Sequence, residues 1–260
     1  MRHAIIEVDE WGNKGRISMK IKQDTLQDII DSEKELFLQA PDKYGEFFDF
    51  ALDSYNQVEN FLKSINPEEF IFVAFLSQIR KHHTLAFFSS VRLHHIQTMM
   101  NLRQFLEAGS CAAFAIANHD SEDFTNRKRD KIYKWIENNY PIKSEEIRRI
   151  KSIINSTTAH SNITYAHKNF KFDLENKRFN IPFFDFEDEL HVNGDLWLVG
   201  NVAMGVLDFL YGVNQNYNAL VFSDNFIEGM KRLQIKNDNL KNKTLKNSRF
   251  DKIRKNLKIL

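Results

Sequence analysis

Between Pro67 and Gly109 the chain contains neither glycine nor proline. Asn66-Pro67-Glu68-Glu69 reads as a helix start, and the apolar pattern that follows continues to Ala117. An unbroken helix of roughly 50 residues would span about 75 Å at 1.5 Å per residue, too long for a compact domain. A break or strong bend is therefore expected near Phe88 to Arg92, with Ser89-Ser90 as the weak point. The alternative is one long helix around which the others pack.

The rest of the pattern is also mainly helical. Asp24 is placed to cap a helix with Leu26, Ile29, Ile30, Leu36 and Phe37 as its stripe, and Pro41 to open a second helix. A helix follows the charged loop at 118–130, Pro141 ends it, and Ser144 with Glu145 and Glu146 starts another that reaches about Thr158. Later helices are expected from about Asp195 to Gly212 and around Asp224 to Leu233. Alternation around Trp11-Gly12-Asn13-Lys14-Gly15 and around Glu175-Asn176-Lys177 predicts two hairpins. The expected class is mainly α: a helical bundle with an N-terminal β-hairpin and a second small hairpin near 169–182. One domain over 1–230 holds the hairpin at 3–22, the bundle at 24–168, the hairpin at 169–182 and the helices at 195–230, and 231–260 forms a basic tail.

Charge is unevenly divided. The formal net charge is +1, yet residues 231–260 carry 11 Lys or Arg against Asp238 and Asp251, which leaves a balance of −8 on the remainder. A basic tail suits phosphate backbones through counterion release. With Phe250 its one aromatic residue it is not built for base stacking, and the simpler reading lays it against the acidic body. The single cysteine, Cys111, excludes an internal disulfide framework and points to a reducing cytoplasm. The opening MRHAIIEVDEW meets charges too early for a secretory signal, and no run of about 18 uncharged apolar residues predicts a membrane span.

Candidate chemistry concentrates in two segments, MMNLRQFLEAGSCAAFAI (99–116) and NSTTAHSN (155–162). Arg103 and Glu107 stand four residues apart, so they share a helix face and can pair. His160 ends the later helical pattern. Polar groups in such apolar settings must find partners, so Arg103, Glu107 and His160 are expected within side-chain reach of one another. They form either a polar clamp or a site. As a site they suit phosphodiester cleavage without metal, His160 moving a proton and Arg103 meeting developing charge. No metal and no cofactor is expected. His83 and His94 lie 11 residues apart, about 16 Å along a helix, beyond the reach of one ion. The acids of the loop at 183–191, Asp185 and Asp188 among them, suit a helix start better than a divalent ion with His191. Gly200 and Gly205 have phosphate-loop spacing but Val206-Leu207 stands where Lys and Ser or Thr are required.

The order NLRQFLEAGSCAAFAI, loop, helix, NSTTAHSNITYA resembles bacterial helical proteins of the HEPN-like kind over roughly 91–168. Active members cleave RNA through an Arg and a His separated by four to six residues. Here the positions five, six and seven before His160 are Asn155, Ile154 and Ile153, and Arg149 is too far upstream. The resemblance implies a helical bundle that dimerises and acts in phage defence or toxin–antitoxin pairs. Two functions follow as expectations. One is a non-catalytic interaction or scaffold protein engaging a second copy or a protein partner. The other is a metal-independent ribonuclease using His160 and Arg103, with RNA as substrate.

Overall fold

A computed structural model describes residues 5–6, 19–20, 25–63, 70–118, 120–125, 128–158, 171–173, 178–180, 183–185, 189–218 and 220–245. Eight α-helices stand among the described residues: α1 Leu26–Tyr44, α2 Glu46–Leu62, α3 Phe70–Val91, α4 His95–Ala117, α5 Arg129–Asn139, α6 Pro141–Thr158, α7 Glu189–Tyr217 and α8 Asp224–Leu245. The mainly helical class holds.

Its β component is corrected. Among the described residues the body is a bundle of helices, and no strand or hairpin packs within it. Among the described residues of the two expected windows, Ile5–Ile6 pairs with Met19–Lys20 and Lys171–Asp173 with Arg178–Asn180. These segments contact chiefly one another rather than the bundle. Ladders of two or three residues are marginal alone and supply no layer for a core.

The long Gly- and Pro-free stretch does break. α3 ends at Val91, and Arg92-Leu93-His94 turn the chain back into α4, which packs along α3. Leu93 takes the left-handed region at φ 65°, a costly conformation for a branched side chain. It is held there because its side chain is buried and its carbonyl accepts from Asp185 N at 3.0 Å, while His94 N donates to Ser89 O at 2.8 Å. The weak point at Ser89-Ser90 therefore supplies a carbonyl to the turn immediately after it.

Three other boundaries differ from the sequence reading. Thr25 rather than Asp24 caps α1, in a capping box with Asp28. Pro41 lies in the last turn of α1, where its ring costs one bond, and the break falls at Gly45, whose φ of 46° favours glycine. Pro141 is the first residue of α6, where its missing N–H goes unneeded.

α7 is the axis of the bundle, touching α2, α3, α4 and α8. Among the described residues it is the one helix long and apolar enough to cross a membrane, and 61% of that apolar window is buried, as in a helix enclosed by others. Two glycines allow close approach. A Cβ on Gly109 of α4 would sit 2.6 Å from Val206 Cγ1 of α7, and one on Gly200 would enter the ring of Phe50 from α2.

Residue 231, where the tail was expected to begin, lies inside α8. Leu233, Asn237 and Leu240 recur at helical spacing and are buried. Trp197 Nε1 donates to Asn237 Oδ1 at 2.8 Å, and Lys236 and Lys243 pair with Asp53 and Glu46 of α2. The described part of the basic segment thus packs on acids of the body.

Candidate functional site

Arg103, Glu107 and Cys111 follow at four-residue intervals along one face of α4. That face is turned toward α5 and α6. Glu107 is the buried member, with its side chain 8% exposed. Arg103 Nε meets Glu107 Oε1 at 3.4 Å. Arginine preceding glutamate is the weaker order for such a helical pair, so the local contact does not account for the burial of the carboxylate.

Two residues from other helices do. Lys151 of α6 places Nζ 3.3 Å from Oε1, and Arg129 at the start of α5 places Nη2 3.1 Å from Oε2. Around these contacts Arg103 Nη1 donates to Asn155 Oδ1 at 3.0 Å, and Lys151 Nζ to the Tyr133 hydroxyl at 2.9 Å, lying over that ring at 4.5 Å from its centre. One carboxylate thus joins three helices. Glu107 gains three attractions of a few kcal/mol gross each at an effective dielectric near 20, against the desolvation of its carboxylate and the mutual repulsion of the cations. The balance favours assembly as long as the carboxylate is present. Without it the same three cations repel with nothing to hold them.

Among the described residues the arrangement leaves two positive charges in excess, on side chains that reach the surface. The side chains of Arg129, Arg103 and Lys151 are 54%, 39% and 20% exposed. Cys111, one turn beyond Glu107, is kept a neutral thiol. Burial pushes its pKa up to about 11, with Glu107 adding to the rise and Arg129 and Lys151 opposing it. A thiol so protected is a poor nucleophile at neutral pH.

Of the sequence-derived trio, two members stand together among the described residues. Arg103 and Glu107 pair, and α6 reaches Arg103 through Asn155. His160 lies outside the described residues, as does Asp188. Arg129 and Lys151 were missed by sequence reasoning. Arg129 falls in a stretch read as a charged loop, and ion pairs between separate helices leave no spacing signal.

The four histidines of the two doublets have four separate partners. His82 Nδ1 lies 3.2 Å from Asn101 Oδ1, and His94 Nε2 lies 2.7 Å from Glu33 Oε1. His95 Nδ1 lies 2.9 Å from both oxygens of Asp195, whose pKa burial raises while His95 opposes the rise. His83 is wholly buried, with Nε2 3.2 Å from Ser54 Oγ. Because Ser54 donates its proton to Ala51 O at 2.7 Å, its oxygen can only accept from His83. Nε2 thus carries the ring proton, and Nδ1 is a buried acceptor without a partner. Burial lowers the His83 pKa to about 4.

Among the described residues no three His, Cys, Asp or Glu side chains gather as a metal requires. Asp185 serves a structural purpose: its carboxylate accepts from Ile96 N at 3.1 Å, capping α4 rather than the helix that follows it in sequence. No protein-family model, curated protein or solved structure matches the chain. The likeness to HEPN-like proteins accordingly rests on the residues quoted for it.

Proposed function

We propose that the chain is a non-catalytic helical interaction protein that engages its partner through the cationic face of α4, α5 and α6. The observation that supports this reading is the engagement of Arg103. Its guanidinium is directed at Glu107 and Asn155, so two of its five donors tie α4 to α6, and a group fixed in this way supports holding an anion rather than following charge as it develops in a reaction. Glu107 in turn binds Arg129 and Lys151, which makes the centre a clamp with a charged outer surface. Such a surface sets orientation and partner choice more than raw affinity.

The test is incubation of the full chain with a generic single-stranded RNA in EDTA, beside His160→Ala and Arg103→Ala variants. The RNA should remain intact with all three proteins. Cleavage by the parent chain that both variants lose would establish the ribonuclease instead. Light scattering after size exclusion then reports whether the partner includes a second copy.

A further inference from the structure

We infer that Arg103, Arg129 and Lys151 form a binding site for a single tetrahedral oxyanion of the phosphate class, with Glu107 as the inner wall that spaces the three cations. This rests on the reading that Arg103 serves binding rather than cleavage. Arg103 Nε and Lys151 Nζ share one oxygen of Glu107, and Arg129 Nη2 takes the other. Each pair of cations therefore lies within a few hydrogen-bond lengths around one buried carboxylate. A single such carboxylate cannot neutralise three cations, and the further hydrogen-bond partners of Arg103 and Lys151 among the described residues, Asn155 and Tyr133, bring no charge.

Donor capacity points the same way. A guanidinium has five N–H donors. Among the described residues Arg103 donates from Nε and Nη1 to protein acceptors, whereas Arg129 meets Glu107 through Nη2 as an ion pair. The donors left over belong to half-exposed side chains, whereas Glu107 faces inward. Planar arginine forks match phosphate oxygens, and a lysine adds a point charge beside them. The aromatic groups nearby are already engaged: Lys151 covers Tyr133, and Trp135 stands edge-on to Phe114 and packs on Tyr140. Recognition at this place is of the charged group and not of a base.

The experiment titrates the full chain with inorganic phosphate at constant ionic strength, following heat of binding and thermal midpoint, with chloride as control. Phosphate should bind and raise the midpoint where chloride does not. Arg129→Ala, at the most exposed of the three positions, should weaken binding at least tenfold with the circular dichroism spectrum unchanged, and Lys151→Met should do likewise. A generic single-stranded RNA is then added in competition. Displacement of phosphate assigns the bound group to a nucleic-acid backbone, and its absence assigns it to a small or protein-borne phosphate; both support the site. No response to phosphate, or an equal response from the parent and both variants, would overturn it. RNA cleavage would instead remove the non-catalytic reading and leave this binding result standing.

Discussion

His83 shows how one side chain sets a pH dependence without belonging to a site. Its ring is enclosed, flanked by Tyr55 and Phe105, and bonded to Ser54 through the nitrogen that carries its proton. The folded ring titrates at about 4 and an unfolded one near 6.5. Between those values the unfolded chain binds a proton that the folded chain refuses, so stability present above about pH 6.5 is lost as pH falls toward 4. From pH 7.5 to 4.5 this group alone should remove roughly 2–3 kcal/mol. Urea unfolding of the parent and of His83→Gln at both pH values measures it, since the variant lacks the titrating ring. Equal pH dependence of the two proteins would show that His83 is not the group responsible. The helical period places His83 in α3, but nothing in its neighbours along the chain separates it from His82, which stays half-exposed. The difference comes from Ser54, on another helix.

At the scale of elements, apolar periodicity was the readable signal and boundaries were not. The stripe through α2 and the pattern of α4 are expressed as helices because their buried positions recur every three to four residues. Pro41 and Gly45 compete to end α1, and the sequence favours the proline; the positive φ available to Gly45 decides otherwise. α8 was harder still. Its few apolar residues among many charges look too sparse for a packed helix, yet Leu233 and Leu240 meet the groove beside α2 and α7. Ending the chain at Met230 removes both. Burial of two leucines is worth roughly 3–6 kcal/mol, so the shortened chain should unfold at markedly lower urea concentration. The exposed pairs of Lys236 and Lys243 add little, and the loss should be nearly the same at low and high salt. Unchanged stability would mean that α8 is not part of the core.

Over the whole molecule, α7 supplies the apolar axis and Glu107 a polar fastening at one side. The two differ in how far a sequence displays them. An apolar 29-residue helix is visible as composition, whereas a carboxylate serving three helices requires Arg129 and Lys151 to arrive from 22 and 44 residues away. Arg103 and Glu107 alone were legible, because four residues is one helical turn. Glu107 is the charge that holds these cations together. The direct measurement is a double-mutant cycle in unfolding free energy with Glu107→Gln and Arg129→Met. In the parent chain Arg129→Met should destabilise, because it removes an attraction. In the Glu107→Gln background the same change should stabilise, because it removes a repulsion from Arg103 and Lys151, giving a coupling of about 1 kcal/mol or more. If Arg129→Met has the same effect in both backgrounds to within about 0.3 kcal/mol, Glu107 does not organise the three helices.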